Sequence, residues 1–214
     1  MNFLCLNTCF NETYLALEVN QKNIYKSMDS SLKQSENVLS IIEEAFVQAN
    51  ISFKDLDYVS CVVGPGSFTG IRIGASLLKG ACFPYPKIKK IEINSLDLLA
   101  YTYSKINTNK QNFWVLLNAL SGNYFARKYN FDGTAIGDPL LLKTEQVTNI
   151  SGDIVGLKQE NLDVCNKYVN FSCEVLLDYT KQMYSEGKFS NDFIPLYIRK
   201  SQAEVELERK HGNN

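Results

Sequence analysis

Residues 62–83 read VVGPGSFTGIRIGASLLKGACF. Two β-branched residues run into Gly64-Pro65-Gly66, Ser67-Phe68-Thr69-Gly70 follow, and a long, mostly apolar run completes the stretch. A strand, a glycine-rich turn and a helix are written here in one line, and this arrangement belongs to an α/β protein. Such turns often cradle phosphate, so the spacing has to be tested. Gly64 to Gly70 is one residue too long for a P-loop, and Ile71 stands where its lysine would be. The dinucleotide fingerprint fails as well, because position 69 is Thr and Lys89 and Lys90 occupy the region of the expected acid. Two readings stay open: a tight turn that starts a helix close to a strand, or first-turn N–H groups that attract an anion. Ser67 or Thr69 is placed to cap the helix.

The helix carries more information than the turn. In 69–82, Ile71, Ile73, Gly74, Ala75, Leu77, Leu78, Ala81 and Cys82 leave only Arg72, Ser76 and Lys79 clearly polar. An apolar surface that runs most of the way round points to burial on more than one side. Residues 34–49 are similar: Val38, Ile41 and Ala45 form one stripe, and Leu39, Ile42 and Phe46 another. Two over-apolar helices in a chain of 214 residues mean central burial or a protein–protein interface.

Upstream, 3–8, 13–19 and 22–28 read as three closely connected strands, an antiparallel meander, before the 34–49 helix with Asn50 as its stop. LDYVSCVVG is a strand buried on both faces. Pro84 and Pro86 end the second helix, KIKKIEI (87–93) is a strand, and NSLDLLAYTYSKI is a helix capped by Asn94 or Ser95. The first hundred residues thus read βββαβαβα. Residues 106–112, INTNKQN, form a polar linker. The pattern then restarts with strands at 113–118, at 123–131 and near 139–143, with a turn at Asp132-Gly133. This is a degraded second copy, polar and irregular from 157 to 190, and a charged surface helix closes the chain.

Bulk composition narrows the function. Twenty-two basic and 23 acidic residues leave a net charge of −1, without the basic excess of a protein that binds nucleic acid by itself. KIKK at 87–90 is a small footprint for RNA phosphates, and no interleaving of aromatic and basic residues suggests base stacking. The six cysteines form no C-x-x-C pair and fit small buried groups in a reducing cytoplasm. The start lacks a signal peptide's basic region, and no apolar run reaches membrane-spanning length. The single histidine, His211, lies in a polar tail, so neither a metal site built on paired histidines nor a Cys–His nucleophile can be assembled in the folded region.

GPGSFTGIRIGASLLKG resembles the signature of the bacterial TsaB (YeaZ) family, and FLCLNTCFNETYLAL, QSENVLSIIEEAF, FKDLDYV and PLYIRKSQAE extend the resemblance over most of the chain. It implies an actin-like ATPase (ASKHA, ribonuclease H-like) fold, with two lobes of mixed sheets flanked by helices. The first lobe would span 1–105 and a smaller, degenerate second lobe 106–194, with 195–214 a candidate to pack back on the first. The implied role is a non-catalytic scaffold in making N6-threonylcarbamoyladenosine at position 37 of tRNA, in the cytoplasm. Its partners would be the catalytic paralogue TsaD and, through that complex, the ATPase TsaE and tRNA, with a homodimer when alone. The resemblance places the TsaD contact on 34–49 and 69–82, naming Val38, Ile41, Ile42, Ala45, Gly70, Ile73, Gly74, Leu77 and Leu78. No catalytic, cofactor or metal residue is assigned, and any nucleotide is expected at the TsaD junction.

The departures from the family matter. Its first strand usually ends Asp-Thr-Ser, where this chain has Asn7-Thr8-Cys9, and its second lobe opens Asp-Ala-Arg, where this chain has Asn118-Ala119-Leu120. Its usual His in the first helix is Gln34. Hard cations favour carboxylates over amides, so these changes point away from nucleotide chemistry. The alternatives are an actin-like enzyme of small-molecule kinase type and a homodimer without a tRNA role.

Overall fold

The computed structural model describes residues 1–29 and 34–198. Its first half runs β1 (Asn2–Asn7), β2 (Glu12–Val19), β3 (Lys22–Asp29), α1 (Gln34–Ala49), β4 (Tyr58–Gly64), α2 (Phe68–Cys82), β5 (Lys89–Asn94) and α3 (Ser95–Ser104). The second half runs β6 (Phe113–Asn118), β7 (Asn123–Tyr129), β8 (Ala135–Lys143), α4 (Thr144–Val147), β9 (Asp153–Leu157), β10 (Lys167–Val169) and α5 (Cys173–Ser185). Two five-stranded sheets result, ordered β3-β2-β1-β4-β5 and β10-β9-β6-β7-β8. In each the first three strands are antiparallel and the remaining two run parallel to the first of them. This duplicated mixed sheet is the actin-like architecture.

Period-two alternation sorts the first sheet's side chains. Leu4, Leu6, Leu15 and Leu17 face one core, which α1 closes with Val38, Ile42, Ala45 and Phe46 and α2 with Ala75, Leu78 and Cys82. Phe3, Cys5, Tyr14 and Ala16 face the other core, shared with α3, α5 and the inner face of the second sheet. The molecule is therefore layered: α1 and α2, first sheet, α3 and α5, second sheet, and a thin outer cover. That last cover is a small cluster around Leu116, Ala126, Val147, Ile154, Leu162 and Cys165.

Local signals placed most boundaries. Asn50 takes a left-handed φ of 53° just past α1, a conformation asparagine tolerates. The Asn94 side chain accepts from Leu96 N–H at 2.8 Å and caps α3. Three expectations need correction. Residues 157–190 are not irregular, because they finish β9 and supply β10 and α5. β10 has only three residues, too few to show a period. α5, however, carries Cys173, Leu176, Leu177 and Thr180 inward behind a Ser172 cap, a helical pattern that was readable. The third strand of the second lobe starts at Ala135 rather than near 139.

The second-lobe boundary at 194 also cuts across the packing. α5 lies on the first sheet, tied by Ser60 Oγ to Thr180 Oγ1 at 2.8 Å and by the Lys181–Glu18 ion pair. Ser190 bridges to Lys90, Leu196 N–H donates to Val63 O at 2.8 Å, and Phe193 is buried in the α1–α2 core. No helix forms in 192–198. The expected closing helix, in the last and charged segment with His211, lies outside the described residues.

Candidate docking face and the space between the lobes

The glycine-rich turn is shaped by contact with its own chain. Gly64 sits at φ +114°, a region open chiefly to glycine. An added Cβ at Gly70 would overlap the Thr8 carbonyl oxygen, and one at Gly74 the Thr8 hydroxyl. That hydroxyl donates to Gly70 O at 2.6 Å. The glycines thus let α2 press against the segment that follows β1. Several donors of the turn are spent internally: Ser67 N–H on Cys9 O at 2.9 Å, Gly70 N–H on Ser67 Oγ at 3.2 Å and Ile71 N–H on Ser67 O at 2.8 Å. Of the two open readings, this geometry serves close helix–strand packing. Gln34 joins the same junction, donating to Thr13 Oγ1 at 2.9 Å and Thr8 O at 3.2 Å.

The space between the lobes is filled. Phe171, just before α5, packs edge-on against Phe10 and Tyr14 at ring distances of 5.2 and 4.7 Å, and all three are buried. Around them one continuous core joins Phe3 and Ile93 of the first sheet to Phe113 and Val155 of the second. Polar clamps brace the seam: Arg127 to Asp97 at 2.8 Å, Tyr129 to Asp97 at 2.7 Å and Tyr103 to Asp153 at 2.6 Å. Sequence reasoning missed Phe10, Tyr14 and Phe171, because nothing local says that residues 10 and 171 meet.

The two amides serve their own loops. Asn7 is fully buried; its Oδ1 accepts from Cys9 N–H at 2.8 Å, while its Nδ2 has no partner among the described residues. Asn118 accepts from Leu120 N–H at 2.8 Å. An actin-like fold implies a nucleotide with a hard cation, and these residues do not fit one. The two positions present amides, and aromatic rings occupy the room between the lobes. Among the described residues no three His, Cys, Asp or Glu side chains are placed to hold a metal ion. The Cys9 thiol beside Asn7 is pushed up to about 12 by burial and so stays protonated at neutral pH. Burial also raises the Glu160 carboxyl to about 7, although it accepts from Asn118 N–H at 2.9 Å.

The outer faces of α1 and α2 present a different chemistry. Of the nine residues expected to meet a partner, Val38, Ile42, Ala45, Gly70, Gly74 and Leu78 are buried inside the chain's own fold. Val38, Ile42, Ala45 and Leu78 have no accessible surface and Gly70 and Gly74 are backed against Thr8, so those six are corrected from contact residues to packing residues. Ile41, Ile73 and Leu77 are half-exposed and border the surface. On the same two helices and their ends, Leu39 is 46% exposed, Val47 81% and Phe83 86%. Arg72 lies over the Phe68 ring at 4.0 Å and donates to Tyr197 Oη at 3.0 Å. Gly80 faces open space. The exposed set was missed because a helix apolar on nearly every side does not reveal which side points inward.

The model of the family described as "TsaD: tRNA N6-adenosine threonylcarbamoyltransferase" matches residues 28–176, more than half of the chain. The "tRNA threonylcarbamoyladenosine biosynthesis protein TsaB" of Buchnera aphidicola subsp. Schizaphis graminum is 29% identical over 125 residues, 58% of this chain and 59% of that protein. The chain belongs to this family, in its TsaB/YeaZ branch. A second TsaB, from Buchnera aphidicola subsp. Acyrthosiphon pisum, is 38% identical over 32% of this chain and 30% of its own length. The matches thus span less than two thirds of these curated TsaB relatives. The solved YeaZ from Pseudomonas aeruginosa shares the fold more completely, with a TM-score of 0.73 over 92% of this chain and 99% of that one, at 16% identity.

Proposed function

We propose that this chain is a non-catalytic subunit of the machinery that makes threonylcarbamoyladenosine in tRNA, and that it docks a TsaD-type paralogue through the outer faces of α1 and α2. The observation that carries the non-catalytic reading is the Phe10–Tyr14–Phe171 plug between the lobes. The docking reading is supported by the exposed apolar set Leu39, Val47 and Phe83, with Ile41, Ile73 and Leu77 at its border. The matching family model is the one that describes the catalytic paralogue, so two chains of one fold would meet through like helix pairs. In this reading a TsaE-type ATPase joins through the pair, tRNA is held by the assembly, and the same helices close a homodimer when the paralogue is missing. A nucleotide, if used, belongs to the junction, where Ser35, Ser67 and Thr69 line an open groove between the first turns of α1 and α2. Among the described residues no helix is long and apolar enough to cross a membrane, and the assembly is proposed to work in the cytoplasm.

The test is co-purification with the TsaD-type partner. Val47→Asp combined with Ile73→Arg should abolish recovery of the partner while the circular dichroism spectrum stays unchanged. Full recovery would remove α1 and α2 as the docking face. In the same preparation, calorimetry of the isolated chain with ATP and Mg²⁺ should give no binding heat, and micromolar affinity would overturn the non-catalytic reading.

A further inference from the structure

The sequence shows no interleaving of aromatic and basic residues, yet the fold assembles one. At the start of β4, Tyr58 pairs with Lys89 at the start of β5. Tyr58 stacks on Phe3 at 4.8 Å, meets Tyr184 at the end of α5 at 4.6 Å, and lies nearly parallel to Phe189 at 6.2 Å. Phe189 is 44% exposed, a large aromatic surface left in water at the rim of a buried cluster. The Lys89 ammonium stands 5.8 Å from its ring centroid. Lys87 is exposed two residues away, and the Lys90 ammonium is turned to the same segment, donating to Asn191 O at 3.1 Å. Neither Lys87 nor Lys89 has a carboxylate partner among the described residues. The nearby acids are already engaged: Glu186 with Lys188 at 2.6 Å, Asp57 with Asn2 N–H at 2.8 Å and the N-terminal amine at 4.0 Å, Asp192 with Lys79, and Glu92 as acceptor from Ile194 N–H. The patch is therefore net positive around an exposed ring, although the whole chain carries −1.

We infer that this patch is an RNA-contact surface, with Phe189 offering a platform to an unpaired base and Lys87 and Lys89 neutralising the flanking phosphates. Aromatic rings accept any base by stacking, and lysines track the backbone without reading sequence. The patch builds on the α5 side of the first sheet, where Tyr58 and Tyr184 pack with Phe3, whereas α1 and α2 cover the other side of that sheet. RNA bound here would leave the α1–α2 face free. The choice of RNA over an acidic protein rests on the tRNA-modification reading above; the geometry of the patch does not depend on it.

The test is fluorescence anisotropy of labelled tRNA with the full chain at about 50 and about 200 mM salt. Lys87→Glu with Lys89→Glu should weaken binding about tenfold or more and reduce the salt slope by about 1.4, two phosphate contacts' worth for a single strand. Phe189→Ala should weaken it by roughly 5- to 100-fold with the slope unchanged. A matched charge reversal on the second lobe, Lys143→Glu with Lys158→Glu, should have less than a twofold effect. Wild-type chain that fails to bind tRNA at the lower salt, or a control pair that loses as much as the test pair, overturns the proposal. Partner co-purification should survive the patch variants. RNA binding without partner docking would sink the docking reading alone, and docking without RNA binding would sink this inference alone.

Discussion

The two lobes share a strand order and differ in what covers them. In the first lobe, α1 and α2, of 16 and 15 residues, close the outer face over Leu4, Leu6, Leu15, Leu17, Val59 and Val63. In the second, the four-residue α4 and the 158–166 connection do the same duty over Leu116, Ala126 and Ile154. The connection between β9 and β10 has no helix at all, although its counterpart between β4 and β5 is α2. The inner layer is thus duplicated, because both sheets need a partner across the seam. The outer layer is not duplicated, because one sheet face needs only enough cover to exclude water. The first lobe's helices go beyond that need in length, and they leave Leu39 and Val47 exposed among polar neighbours, with Ile41, Ile73 and Leu77 half-exposed; these are the apolar side chains the proposed docking would use.

The comparison can be broken most severely at the crowded first-lobe junction. Gly74→Arg or Leu78→Glu should cost about 4 kcal/mol or more, because one collides with Thr8 and the other buries a charge in a fully enclosed site. Urea unfolding should show most of the chain unfolded. A soluble, folded Leu78→Glu protein would mean that α2 is not seated as described. Next comes the seam, where Phe171→Ala should lose about 3–5 kcal/mol, the usual cost of removing a buried ring. Both lobes should report it together in a single thermal transition, since one core serves both.

A smaller effect separates the lobes by pH. Glu160, in the second lobe's helix-free connection, has its carboxyl raised from 4.5 to about 7 by burial. The folded state therefore holds the proton more tightly than the unfolded chain. The stability this contributes is complete below about pH 4.5 and is lost as pH rises through about 7. Glu160→Gln should flatten that decline, recovering about 2–3 kcal/mol at pH 8 relative to wild type when each is referenced to pH 4. Parallel stability–pH curves for the two proteins would remove Glu160 as the cause. The smallest effect belongs to the outermost surface of α1. Val47→Asp, at a position 81% exposed, should change the unfolding free energy by less than about 0.5 kcal/mol, which makes it a clean docking probe.

Most of the first lobe was legible because its signals are local. The spacing of Val38, Ile42 and Ala45 marked α1, Asn50 its end, and Asn94 the start of α3. The second lobe read poorly where elements shrink below a period, as in β10 and α4, and α5 was overlooked among polar neighbours despite its stripe. At the proposed docking face, the sequence named two helices, and only the structure shows which of their side chains are exposed.

By itself the sequence determined the order of elements in the first lobe, its helix caps and the fact that a glycine-rich turn launches an over-apolar helix. These follow from φ/ψ preferences and from periods of two and 3.6, which act over a few residues. Only the tertiary structure decided which flank of that helix is core. It also decided that Gly70 and Gly74 yield to Thr8, that Phe10 and Phe171 meet across the seam, and that Tyr58, Lys89 and Phe189 share a patch. Those contacts join residues dozens to more than a hundred positions apart, and their free energy comes from shared burial, which no local pattern records.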